Sequence, residues 1–156
     1  MPTGPPTVDL IVTISADHDP AIQRLVRALD ADLAARYPDD PTITAARLGP
    51  AARFLLAELD GHPVGCCAIQ PTAGGAELKR MYVTPQARGR GVARRLLAEA
   101  EDLATALGHR RIRLETGIHQ PEAIALYTRT GYMPVPAYPP YQHDPLSRCY
   151  AKPLSP

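Results

Sequence analysis

Gln86-Ala87-Arg88-Gly89-Arg90-Gly91-Val92-Ala93 is the stretch on which the reading of this chain turns. Before it runs Glu77-Leu78-Lys79-Arg80-Met81-Tyr82-Val83, an alternating pattern that predicts a strand. After it, apolar residues recur at 92, 93, 96, 97, 100, 103, 104 and 107, the three-and-four spacing of one buried helical face. The order is therefore strand, glycine turn, helix N-terminus. The first-turn amides of a helix lack intrahelical acceptors and stand at the positive end of its dipole. Gly89 and Gly91 carry no β-carbon, so an anion can approach the backbone, and Arg88 and Arg90 add charge at the rim. The segment reads as a cradle for a pyrophosphate.

Two common cradles are excluded by spacing. A Walker loop needs Lys-Ser or Lys-Thr after its second glycine, and no lysine follows here. The dinucleotide fingerprint needs a third glycine where this chain has Arg94. What remains, Q-x-x-G-x-G-x-A after a strand ending Met-Tyr-Val, resembles the acetyl-CoA loop of the GNAT superfamily of N-acetyltransferases. A second block strengthens the resemblance. Pro121-Glu122-Ala123-Ile124-Ala125-Leu126-Tyr127, followed by Gly131-Tyr132, is similar to the superfamily's N-x-x-A-x-x-L-Y-x-x-x-G-[FY] signature. It also makes sense as structure: Pro121 suits a first helical position, and Gly131 suits the left-handed residue after a last turn. The departure is at position 120, where Gln stands in place of the usual Asn.

The rest of the chain reads as alternating elements. A strand is expected over residues 8–14, then a helix capped by Asp19-Pro20 and ending near Tyr37-Pro38. Residues 38–50 form a proline-bounded connection with a short irregular helix. Residues 53–59 and 64–70 flank Asp60-Gly61 as a β-hairpin. Helices follow at about 91–107 and 121–130, a fifth strand around Ile112 and Leu114, and a final strand pair at 132–135 and 148–152. The expected fold is α/β: one GNAT-like domain over 1–156, residues 1–6 flexible. Its central sheet would be mixed and mostly antiparallel, of about six or seven strands flanked by helices. The resemblance implies a splay between strands four and five and a bulge in strand four.

Bulk properties narrow the function. At 156 residues the chain is long enough to bury its own core, and a net charge of +1 argues against a dedicated nucleic-acid surface. No apolar run approaches a membrane span and no leader-like segment stands at the start, so a cytoplasmic location is expected. Three cysteines, two adjacent at 66 and 67, form neither a disulfide framework nor a zinc set, and no metal is expected. Dimers are common in the superfamily, and no feature of the sequence selects an interface.

The resemblance implies direct attack of an amine on bound acetyl-CoA, without an acyl-enzyme. No Ser-His-Asp order or nucleophile elbow argues otherwise. Such a reaction needs a neutral amine, a stabilised oxyanion and a proton for the leaving thiolate. A lysine-like amine has a pKa of about 10.4 and must lose a proton first. Tyr127 occupies the signature's proton-donor position; a core tyrosine on a short helix is the competing reading. Glu77 matches the strand-four carboxylate that acts as base in histone-modifying members. An ordinary strand residue beside Lys79 and Arg80 is its alternative, and Glu115 and water are its rivals. Cofactor contacts are expected from Met81, Tyr82 and Val83 through the backbone, from Arg88, Gly89, Arg90, Gly91, Val92 and Ala93, and from Gln120. The Tyr138–Asp144 loop, with His143, is expected to border the acceptor, either as part of its pocket or as packing over the sheet edge. Size alone points to a small primary amine as partner. A CoA-binding module without turnover, or an enzyme for a bulkier acyl-CoA, are the alternatives.

Overall fold

In a computed structural model, which describes residues 9–41, 43 and 48–156, the described residues build one seven-stranded sheet in the order β1-β2-β3-β4-β5-β7-β6. The strands are β1 Leu10–Ser15, β2 Arg53–Leu59, β3 His62–Thr72, β4 Gly75–Val83, β5 Arg111–Gly117, β6 Met133–Val135 and β7 Ser147–Pro153. The helices are α1 Pro20–Arg36, α2 Val92–Ala106 and α3 Pro121–Arg129. Every neighbouring pair is antiparallel except β4 and β5, which run parallel. This is the mixed α/β architecture read from the sequence, with boundaries within two or three residues of expectation. The start expected to be flexible at 1–6, Val8 of the first expected strand, and residues 42 and 44–47 of the 38–50 connection, where a short irregular helix was expected, lie outside the described residues.

Both faces of the β2-β3 hairpin are covered, which is why its strands read as nearly continuous apolar runs. Phe54, Leu56, Cys66 and Ala68 point to one face and pack under α1 with Ile22, Leu25 and Leu29. Leu55, Ala57, Cys67 and Ile69 point to the other and pack under α2 with Val92, Leu96, Leu97 and Ala100. Gly65 permits that second contact. A β-carbon there would lie 3.1 Å from Leu96 Cδ1 and 2.9 Å from the Tyr82 carbonyl oxygen.

Local signals start and stop the helices where the sequence places them. Asp19 accepts the Ala21 amide at 2.8 Å and is itself held by the Ser15 hydroxyl at 2.7 Å, capping α1 ahead of Pro20. After α3, Gly131 adopts φ +96° and the Tyr132 amide returns to the Tyr127 carbonyl at 3.0 Å.

Two irregularities in the sheet open it for function. In β4, Lys79 pairs with Ala68 and Tyr82 with Cys66, so Arg80 and Met81 together oppose the single residue Cys67. That is a β-bulge, with Arg80 at φ +58°, and the Arg80 carbonyl accepts from the Cys66 thiol at 3.4 Å. Before the bulge, β4 and β5 pair only at Ala76 with Ile112 and Glu77 with Arg113. The later residues of the two strands therefore diverge, and a wedge opens in the middle of the sheet.

Candidate active site

The glycine turn sits at the mouth of this wedge. β4 ends at Val83, and a 3₁₀ turn over Pro85–Ala87 leads through extended Arg88 to Gly89 and Gly91, both at φ +78°. Gly91 is the left-handed N-cap of α2, and no side chain caps the amides of that first turn. A β-carbon at Gly89 or Gly91 would meet nothing within 4 Å, so their lack of a side chain serves no packing need within the protein. The amides at the start of α2 thus face open space at the positive end of a 15-residue helix.

A cleft of about 490 Å³ begins at that turn and runs between the end of β4 and α3. Met81, Tyr82 and Val83 form one wall, and Arg88, Gly89, Gly91, Val92 and Ala93 the end. Gln120 and Tyr127 come from the α3 side. The fold thus gathers ten of the twelve residues singled out from the sequence. Arg90 is exposed and outside the cleft lining. Glu77 is also outside it. A larger depression, about 680 Å³ between the start of α1 and residues 48–54, contains none of the twelve.

Tyr127 is 5% exposed, and its ring packs tilted against Tyr132 at 5.7 Å. Burial pushes its phenol above the ordinary tyrosine value. The hydroxyl has no hydrogen-bond partner among the described residues, yet it is not sealed from solvent, so it opens on the cleft. Arg88 does not reach outward: its Nε donates to the Val83 carbonyl at 3.0 Å, and its guanidinium lies 5.7 Å from the Tyr82 ring centre. Gln120 is likewise engaged. Its Oε1 accepts from the Gly117 amide and the Tyr37 hydroxyl, each at 3.2 Å.

The carboxylates lie on the α1 face of the sheet, beside the wedge. Glu77 is 7% exposed, 3.1 Å from Lys79 Nζ, and accepts from the Tyr138 hydroxyl at 3.2 Å. Lys79 in turn donates to the Tyr141 hydroxyl at 2.7 Å, and the Arg113 guanidinium lies 3.9 Å over the Tyr138 ring. Those contacts hold the loop after β6 down on the sheet. Glu115, half-buried, accepts from the Ser147 hydroxyl at 2.9 Å. Burial raises its carboxyl pKa, against smaller lowering effects from Ser147 and the Lys79 charge. His143 is exposed on the same loop.

Sequence reasoning missed a clamp between α1 and the start of α3. Arg36 donates to the His119 carbonyl at 2.9 Å and pairs with Glu122, while Tyr37 accepts from the His119 amide at 3.2 Å. The partners are more than 80 positions apart, so no local pattern announces them. The cysteines are free and buried, with burial pushing the Cys66 thiol up to about 12. Among the described residues no group of three or more His, Cys, Asp or Glu side chains is placed to hold a metal, and no helix is long and apolar enough to cross a membrane.

Comparison with known proteins decides the family. The sequence profile of the acetyltransferase (GNAT) family matches residues 22–132, which takes in the bulged strand, the glycine turn and the Tyr127 helix. The chain belongs to the GNAT acetyltransferase family. Among curated relatives, an IAA acetyltransferase of Azospirillum brasilense is 43% identical over 86% of this chain and 91% of its own length. A Klebsiella pneumoniae crystal structure assigned as an acyl-CoA N-acyltransferase is 40% identical, with a TM-score of 0.81 over 94% of this chain and 98% of that one. The PaiA N-acetyltransferase of Thermoplasma acidophilum, solved with coenzyme A, shares the fold at a TM-score of 0.71 and 17% identity, over 93% and 99% of the two chains. This GNAT acetyltransferase thus has an uncapped helix start, a bulged strand and a splayed sheet that fit a CoA thioester as co-substrate.

Proposed function

We propose that this enzyme, acting as a single domain, transfers an acetyl group from acetyl-CoA to the primary amine of a small molecule, by direct attack of the amine on the thioester. The observation that carries this reading is the Tyr127 hydroxyl, unpaired and opening on a cleft that ends at the glycine turn. The amides of Val92 and Ala93 would hold the pyrophosphate, with Gly89 and Gly91 giving it room. The bulged backbone from Met81 to Val83 would pair with the pantetheine arm, and an amide at Tyr82 or Val83 would donate to the developing oxyanion. Tyr127, kept protonated by burial, would give its proton to the departing thiolate. Arg88 contributes through field, its Nε being committed to Val83.

The amine enters from the α1 face, where the wedge meets Lys79, Glu115 and Tyr141. A pocket walled by side chains of one small domain suits a compact acceptor. The test is free-thiol release from acetyl-CoA against polyamines, amino acids, aminoglycosides and aryl amines, with CoA binding measured in parallel. IAA joins the panel because a relative bears that name. Turnover on one amine class supports the reading. Tight CoA binding with no turnover would favour a CoA-binding module, and turnover only with longer acyl-CoA donors would reassign the acyl group. Absence of CoA binding would sink both.

A further inference from the structure

We propose that the acceptor amine carries a carboxylate, and that Arg80 holds it in the depression beside α1 while the amine reaches the wedge. This rests on the reading of the chain as an amine acetyltransferase and deepens it to a class of substrate, amino acids with apolar side chains.

Two cavities meet at the bulge. Arg80 lines the depression of about 680 Å³ between the start of α1 and residues 48–54. Met81, the next residue, lines the cleft that ends at the glycine turn. Consecutive Cα atoms lie about 3.8 Å apart, so a single residue step carries β4 from one space to the other. Ile22 and Phe54 in the lining of the depression belong to the core beneath α1, which puts it on the α1 face, the side from which the amine enters. Tyr141, at the wedge, is within electrostatic reach of Arg80. An acceptor lying along this face can place one end at the thioester and the other at the guanidinium.

The backbone marks the same residue. Arg80 stands at φ +58°, a left-handed conformation that Gly, Asn or Asp adopts more readily. The bulge alone would be better served by one of those. A long cationic side chain in a strained position points to a use for the side chain.

Charge selects the ligand. Arg27, Arg53 and Arg80 line the depression, and Asp17 is the one acidic residue lining it among the described residues. Asp17 stands at the rim, its side chain 68% exposed, 3.5 Å from His18 Nδ1. Arg53 turns back on its own chain, donating to the carbonyls of Ala51 and Ala52 at 3.1 and 3.4 Å, and Arg27 is exposed. Arg80 is half-buried, and the loss of hydration lowers its pKa against the charge of Asp30 on α1. A planar guanidinium partly out of water pairs well with a carboxylate, which it can grip through two parallel bonds. Lys79, the neighbouring cation on β4, is already engaged with Glu77 at 3.1 Å. Ile22, Val26, Leu48 and Phe54 give the depression apolar walls that suit an apolar side chain. A polycation would meet like charge here, which disfavours polyamines and aminoglycosides.

The test uses matched pairs, leucine with 3-methylbutylamine and phenylalanine with phenethylamine, each differing by the carboxylate alone. Turnover with acetyl-CoA is measured for every member, and binding to the CoA-loaded protein is followed by calorimetry. In at least one pair the amino acid should exceed its amine by about 100-fold in kcat/KM, chiefly through KM, and should bind more tightly. Arg80→Gly suits the backbone at that φ and removes the guanidinium. It should erase the preference while CoA affinity holds, and Arg80→Lys should recover only part of it, lacking the fork. Amines that match or outdo their amino acids overturn the proposal. So does a preference that survives in Arg80→Gly. Should no acceptor turn over, the reading of the reaction fails, while carboxylate-dependent binding, lost or kept in Arg80→Gly, still decides for or against Arg80.

Discussion

The Tyr37 hydroxyl donates to Gln120 Oε1 at 3.2 Å, tying the end of α1 to the residue that opens α3. The reach is possible because β5 ends in glycine: a β-carbon on Gly117 would stand 1.7 Å from the Tyr37 oxygen. One bond thereby fixes the rim of the cleft where helix, strand and signature helix meet. Tyr37→Phe keeps the ring and removes bonds to Gln120 and the His119 amide, so a loss of about 1–2 kcal/mol is expected in denaturant unfolding. Gly117→Ala must displace the ring itself and should cost more, about 2–4 kcal/mol. A smaller loss for Gly117→Ala than for Tyr37→Phe would show that the clamp is not close-packed.

Tyr127 should behave as a proton donor rather than as a packing residue. Its ring is buried against Tyr132, and Phe preserves that contact. Tyr127→Phe is expected to hold its melting temperature and CoA affinity while kcat falls about 100-fold. Because burial moves the phenol above the usual tyrosine value of about 10, it stays protonated through the neutral range, and no alkaline fall below that pH should trace to it. A kcat that survives the substitution would return Tyr127 to the core.

The glycine turn separates folding from binding. Gly91→Ala places a side chain at φ +78°, which costs about 1 kcal/mol, but the added carbon meets nothing within the protein. A modest loss of stability is therefore expected, together with at least a tenfold weaker CoA affinity by calorimetry, because the carbon occupies the anion's approach. Unchanged affinity would place the pyrophosphate elsewhere.

What the sequence made legible follows from how far each determinant acts. The turn, both helix ends around it and the Tyr127 helix are set by neighbours within a few positions, and periodicity exposed them. The bulge was expected only through resemblance; Arg80 at φ +58° has no local residue signal such as glycine. Gln120 was expected among the cofactor contacts and lines the cleft, but the bonds of its Oε1 to Gly117 and Tyr37, the latter a distant partner, had no local signal. Glu77 and Glu115 looked alike as strand carboxylates. They are distinguished by Lys79 and Tyr138 on one and Ser147 on the other, and only Lys79, two residues along the same strand face, was within reach of sequence reading.

Glu77 and Lys79 should prove a stabilising pair. Lys79 is 24% exposed at its side chain, and its charge is supported by Tyr141 and Glu77 strongly enough to lift its pKa despite desolvation. A raised lysine value adds stability that is complete at neutral pH and is lost as pH rises through the folded-state value. Glu77→Gln leaves the ammonium half-buried without its counter-charge, for a loss of about 1–3 kcal/mol. The loss should shrink above pH 10, as Lys79 deprotonates in both states. A deficit independent of pH would assign the cost to the Tyr138 contact instead.

Replacing Glu115 by Gln should act oppositely to Glu77→Gln at neutral pH, and that contrast separates the two carboxylates without any substrate. Its folded-state value is raised by burial, so the native protein binds a proton more readily than the unfolded chain does. Stability from this group is present below the unfolded value of about 4.3 and is lost as pH rises through the folded one. At pH 7 to 8 the ionised side chain is therefore a burden on the fold. Glu115→Gln, which keeps an acceptor for Ser147, should raise the melting temperature there, with the gain fading toward pH 4. Such a gain would mark a buried charge that the fold holds at a cost to its stability. A fall in melting temperature at pH 7 to 8 would mean that Glu115 is bound by a stabilising partner after all.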